Sequence, residues 1–219
     1  MNALIFGATG MVGQGVLREC LLDPDVGIVL TVGRSATGRK HEKLRELVHG
    51  DLLDFSAVEF QLEGFDACFF CLGVTSAGMT EEQYRRVTYD IAMAAARTLV
   101  KLNPGMTFVF VSGTGTDSTE SGRTMWARVK GKTENALLRL PFKAAYMFRP
   151  AFIQPLHGIK SKTKSYRFFY ALSGPLFPVM KKLFPKYMTT TEQLGRAMIK
   201  AAKHGAPKQV LEAEDINRL

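Results

Sequence analysis

The chain has 219 residues, 46% of them hydrophobic, and its 29 Lys and Arg outweigh 20 Asp and Glu to give a formal net charge of +9. That length fits one domain, able to bury roughly 70% of the surface its unfolded form exposes without help from disulfides or metal. No apolar stretch is long enough for a bilayer-spanning helix, and the excess charge comes with no nucleic-acid-binding motif, so nucleic acid is not an expected partner. Cys20, Cys68 and Cys71 make an odd count with no signal peptide, which predicts a reducing, cytoplasmic setting. The CxxC formed by Cys68 and Cys71 lies in an apolar strand that would point the two thiols to opposite faces, and no histidine cluster accompanies it. No metal site is expected.

An apolar run from Ala3 to Phe6 predicts the first strand and leads directly into Gly7, Gly10 and Gly13. A strand followed by GxxGxxG lets the chain turn at Gly7, brings backbone close to a pyrophosphate at Gly10 and allows the helix to pack on the strand at Gly13. Met11 to Leu22 reads as that helix, ended by Asp23-Pro24-Asp25. Thr9, Met11 and Val12 complete the candidate phosphate loop, whose N–H groups and helix dipole would hold a diphosphate. Strands are predicted over Gly27–Val32, near Leu47–Val48, and over Ala67–Leu72, Thr107–Val111 and Ala144–Phe148. The helices between them span Thr80–Leu102 and Trp126–Leu140. This alternation demands parallel pairing with right-handed crossovers, an α/β doubly wound sheet with helices on both faces. Past Pro150 the alternation stops. Residues 1–155 are read as a nucleotide-binding Rossmann core, and 156–219 as a small cap over the strand ends with a final helix, Glu192–Lys203, of the same domain.

The second strand ends in IVLTVGRS without the carboxylate that accepts a ribose 2′-hydroxyl in NAD-preferring proteins, and Arg34 stands in its place beside Ser35. A guanidinium can grip a 2′-phosphate with two parallel hydrogen bonds, so NADP(H) is expected ahead of NAD(H). Asp51 and Leu52 are placed to meet the adenine, and Leu72, Gly73, Thr75 and Ser76 to line the cofactor beyond it. Pro150, Ala151 and Phe152 are expected to border the nicotinamide.

The segments GATGMVG, GRS, CLGVTSAG, FVFVSGTG, WARVKGKTEN and FRPAFIQP occur in order from residue 7 to residue 155. Together they resemble the atypical and extended short-chain dehydrogenase/reductase superfamily, especially its small single-domain oxidoreductases. The resemblance implies an oxidoreductase acting on a small carbonyl or alcohol, with Ser112 holding the substrate oxygen and Lys130 holding the nicotinamide ribose. It also allows a homodimer through the long helices. The superfamily's tyrosine, which transfers the proton, is replaced here by Trp126, and Thr88 stands where its helical asparagine is usual. An indole N–H donates a hydrogen bond but is no acid near neutral pH.

Three readings of the Trp126 position stay open. Another group, such as Tyr84, Thr114 or a water, supplies the proton; or the pocket binds NADP(H) as a regulatory module without turnover; or the substrate needs no tyrosine. His157 is the one histidine near the expected pocket. Residues 160–187 intersperse Lys and Arg with aromatics and contain no acid. A pocket cap or an oligomer contact explains that stretch better than an anionic membrane surface, because Gly174-Pro175 and Phe177-Pro178 break any long amphipathic helix.

Overall fold

Four-residue apolar runs with no polar face need cover on both sides, and the chain supplies it with helices above and below one sheet. The computed structural model describes residues 1–159 and 184–219, so most of the basic aromatic stretch lies outside the described residues. Strands β1 (Ala3–Phe6), β2 (Val29–Gly33), β3 (Leu44–Val48), β4 (Ala67–Phe70), β5 (Thr107–Val111), β6 (Ala144–Arg149) and β9 (Val210–Glu212) form a seven-stranded sheet in the order β3-β2-β1-β4-β5-β6-β9. Every pairing in it is parallel. The order reverses between β1 and β4, the switch point at which such sheets bind ligands. A second, two-stranded parallel sheet joins β7 (Phe152–Gln154) to β8 (Met188–Thr190).

Side chains alternate strictly between the faces. Ile5, Phe69, Val109 and Phe148 face helices α1 (Met11–Leu22) and α5 (Thr191–His204). Phe6, Phe70, Phe108 and Phe110 face α3 (Ile91–Leu102) and α4 (Met125–Leu138). On that second face Phe70 stacks on Phe6, Phe108 and Phe110 with ring centroids 5.3, 6.0 and 5.9 Å apart. Cys68 points to one core face while Cys71 packs against the other.

Three features depart from the sequence reading. The helix expected over Thr80–Leu102 starts as predicted, with a Thr80–Gln83 capping box opening α2 (Glu81–Arg85), but widens into a π turn over Arg86–Asp90 before α3. That turn buries Thr88. The expected cap is, in its described part, core: β9 extends the sheet beside β6, and α5 lies against α1 beneath it. A last helix, α6 (Ala213–Arg218), follows β9 directly.

Two contacts fix these C-terminal elements. A Cβ at Gly15 would sit 2.7 Å from the Thr191 carbonyl oxygen, and one at Gly195 would sit 2.9 Å from Glu19 Cγ, so α1 and α5 cross at two missing side chains. Arg149, at the end of β6, donates from Nε to Glu134 Oε1 (3.0 Å), from Nη1 to Glu212 Oε1 (3.1 Å) and from Nη2 to Ser118 Oγ (2.6 Å). Glu134 is fully buried, and this guanidinium ties α4, β6, β9 and the loop after β5 together.

Alanine raises helix propensity over glycine by about 1 kcal/mol, yet Gly15→Ala is expected to destabilise, because overpacking costs about 1–3 kcal/mol. Urea unfolding reads the sign directly; a higher midpoint would contradict the α1–α5 contact. Arg149→Met should cost about 3–5 kcal/mol by stranding the Glu134 charge in the core. The double variant Arg149→Met/Glu134→Leu should regain most of that in the same assay, whereas additive losses would rule out a buried pair.

Candidate active site

At the carboxyl ends of β1, β2 and β4 a cleft of about 110 Å³ is lined by residues that include Gly7, Thr9, Thr31, Arg34, Ser35, Leu52 and Leu72. Each loop glycine has its own steric reason. Gly7 adopts φ +77°, and a Cβ there would press on the Cys71–Leu72 backbone at 2.8 Å. A Cβ at Gly13 would lie 2.1 Å from the Gly7 carbonyl oxygen, so α1 can start close over β1 only without it. At Gly10 the one contact is Gly7 O at 3.3 Å, which leaves that side open to a ligand. The α1 ladder begins with Gln14 N–H on Gly10 O. The N–H groups of Met11, Val12 and Gly13 therefore stand at the helix's positive end, which carries no acidic residue in its first turn.

Arg34 is exposed at the rim of this cleft and has no carboxylate partner among the described residues. The acid on the neighbouring strand, Glu46, is occupied: its Oε1 accepts from Thr37 N (2.6 Å) and Thr37 Oγ1 (2.5 Å). Asp51 stands beside this cleft rather than in its lining. It is exposed, its Oδ1 accepts from Leu53 N at 2.9 Å as a turn cap, and the cleft wall is made by the buried Leu52. Gly73 is exposed, with no atom within 4 Å of the position a Cβ would take.

A second cluster lies further along the strand ends, after β5 and β6. Lys130 Nζ, on α4, donates to the Ser112 carbonyl oxygen at 2.9 Å. Burial pushes the Lys130 amine down to about 8, against the opposing pull of the Glu134 charge one turn away. Ser112 is buried, and its Oγ lies 3.0 Å from Thr116 Oγ1, which donates onward to the Gly113 carbonyl oxygen at 2.8 Å. The Trp126 indole lies over Gly115, where a Cβ would touch its Cη2 at 3.5 Å. The carbonyl of buried Pro150 accepts from Thr114 N at 3.1 Å, and half-buried Phe152 opens β7.

The structure thus brings Ser112 and Lys130 together and keeps the phosphate loop with Arg34, Ser35, Leu52 and Leu72. His157 falls elsewhere: its Nε2 meets Glu192 Oε2 at 2.6 Å, with Arg196 on the same carboxylate. Thr31, Thr37 and Thr116 escaped the sequence reading. Thr31 is a buried hydroxyl inside an apolar strand, where an isolated Thr was the available signal, and Thr116 is a buried hydroxyl in the polar loop after β5, where none was. Among the described residues no cluster of His, Cys, Asp and Glu could hold a metal, and no helix is long and apolar enough to cross a membrane.

Comparison with known proteins agrees with this geometry. A family described as NAD(P)H-binding matches residues 7–139. The Scheffersomyces stipitis protein FMP52-2, mitochondrial, is 30% identical over 154 residues, 69% of this chain and 66% of its own length. The Aspergillus terreus protein of the same name is 28% identical across 99% of this chain and 96% of its own. Rat HTATIP2 is 30% identical over 68% of this chain and 61% of itself. Among solved structures, Bordetella bronchiseptica WbmF in complex with NAD+ superposes with a TM-score of 0.70 at 14% identity, covering 99% of this chain and 76% of that one. A likeness at that identity establishes the fold. The names of the fungal relatives overturn the cytoplasmic expectation, which rested on a cysteine count and an absent signal peptide. The match covers more than half of the chain, and the parallel seven-stranded sheet agrees with it: the chain belongs to the NAD(P)H-binding family.

Proposed function

We propose that the protein is an NADP(H)-dependent oxidoreductase for a small carbonyl or alcohol substrate, with Trp126 in the position its superfamily gives to a catalytic tyrosine. The observation that carries the cofactor choice is Arg34, a guanidinium at the cleft rim that no carboxylate neutralises among the described residues. A nucleotide 2′-phosphate is a dianion near neutral pH and would meet that planar donor pair, while an NAD ribose would find no carboxylate to accept its hydroxyls. The N–H groups of Met11, Val12 and Gly13 hold the diphosphate, Leu52 and Leu72 pack the adenosine, and Lys130 orients the nicotinamide ribose. Bound there, the nicotinamide supplies or accepts a hydride. Trp126 gives the reacting region a flat apolar wall that excludes water.

A second reading, an NADP(H)-responsive binding module without turnover, draws on one specific observation: the site's hydroxyls are already engaged with neighbouring groups. Both readings share the cofactor, and the fungal relatives' names favour a mitochondrial setting for either.

Calorimetric titration separates the cofactors. NADPH should bind at least tenfold more tightly than NADH, and Arg34→Ala should erase that preference, since a hydrogen bond to a charged group is worth about 1.5–3 kcal/mol. Gly10→Asp, which sets a carboxylate against the diphosphate, should abolish binding of both while leaving the melting temperature near wild type. Equal affinities for NADPH and NADH in wild type and Arg34→Ala would refute the NADP(H) assignment.

A further inference from the structure

Reducing a carbonyl requires a proton for its oxygen, and the hydroxyls at this site are poorly placed to give one. Thr116 donates to the Gly113 carbonyl at 2.8 Å, which leaves the Ser112 hydroxyl to donate to Thr116 across 3.0 Å. The Thr114 hydroxyl donates to the Arg149 carbonyl at 3.0 Å. Tyr84 is only 2% exposed, within α2, and the indole of Trp126 yields no proton near neutral pH. Lys130 differs from all of these. Its Nζ makes one hydrogen bond among the described residues, to the Ser112 carbonyl at 2.9 Å, and no ion pair, because Glu134 is committed to Arg149. An ammonium carries three N–H bonds, so two remain to be directed elsewhere. Open space adjoins them: a Cβ built on Gly113 would find Lys130 Nζ at 3.9 Å and, its chain neighbours aside, no other atom within 4 Å.

We propose that Lys130 is itself the proton donor, its Nζ protonating a substrate carbonyl oxygen lodged in the space beside Gly113. This rests on the oxidoreductase reading above and assigns it the acid that Trp126 cannot be. In the step, an Nζ–H bond breaks and an O–H bond forms as the carbonyl carbon accepts a hydride, with its two electrons, from the reduced nicotinamide. The carbonyl becomes an alcohol, the nicotinamide is oxidised, and the neutral amine regains a proton from water. In the reverse direction the neutral amine takes the alcohol's proton.

Burial has moved the amine to about 8, where it is charged at neutral pH yet gives up its proton far more readily than a solvated lysine. The charged groups around it are Glu134 on its own helix and, joined to Glu134, Arg149 of β6 with Glu212 of β9.

The experiment uses NADPH and 4-nitrobenzaldehyde as the probe, with wild type, Lys130→Arg and Lys130→Met. Wild-type kcat should be flat below about pH 8 and fall tenfold per unit above it. Lys130→Arg, a guanidinium that cannot release its proton, should lose about 10²–10⁴ in kcat measured at saturating NADPH. Added methylammonium should restore part of the turnover of Lys130→Met. Independently of turnover, ¹³C-lysine NMR of the cofactor-free protein should show one lysine titrating near 8, absent from Lys130→Arg. Wild-type kcat in Lys130→Arg, no lysine titrating below 9.5, or a wild type that binds NADPH but reduces no probe at pH 6 would each overturn the proposal. Failure to bind NADPH at all would overturn the oxidoreductase reading with it. The NMR titration and the wild-type pH profile decide the matter even if a variant does not fold.

Discussion

A methyl group at residue 13 would stand 2.1 Å from the Gly7 carbonyl oxygen, and the geometry of the site follows from its absence. Without it, α1 begins directly over the end of β1, and its unpaired N–H groups open onto the cleft between the outward-going halves of the sheet. Gly7 makes the reversal possible through its positive φ, and Gly10 leaves the approach clear. Two residues further on, the same economy of side chains recurs where Gly15 lies against Thr191. A single helix is thus held from above by the phosphate turn and from below by the C-terminal helix α5. Placement of a ligand's diphosphate and integrity of the core are consequences of one close-packed element.

The reacting end is governed by a different constraint, the dryness of α4. Glu134 and Arg149 neutralise each other under the helix, which leaves half-buried Lys130 without an ion pair of its own. An unpaired buried amine releases its proton easily. Trp126, one turn earlier, adds apolar surface rather than an acid. The hydroxyl chain from Ser112 through Thr116 to the Gly113 carbonyl holds the loop against which both Trp126 and Lys130 lie.

The parts of this arrangement that follow from local sterics were legible in the chain: the glycine turn, the apolar strands, the absence of an acid after β2 and the lysine one helical turn beyond Trp126. What escaped the sequence depends on contacts between distant residues. Val210–Glu212 is three residues long, too short for a periodic signal, and becomes a strand only because β6 offers it an edge. The π turn at Arg86–Asp90 keeps the composition of an ordinary helix, so nothing in its sequence marks the widened ladder. That Arg149 gathers Glu134, Glu212 and Ser118 required the fold. Asp51 is engaged by its own turn through one carboxylate oxygen, a local bond that the chain alone does not show. Cellular location was beyond reach, since three cysteines buried or partly buried for packing say nothing about a compartment.

The most direct test is a crystal structure of the protein grown with NADPH. It should show the diphosphate on the N–H groups of Met11, Val12 and Gly13, the 2′-phosphate gripped by Arg34, and the nicotinamide ribose within hydrogen-bond reach of Lys130 Nζ. A dinucleotide with its 2′-phosphate turned away from Arg34, or with its nicotinamide displaced from Lys130 by the Trp126 ring, would contradict the account.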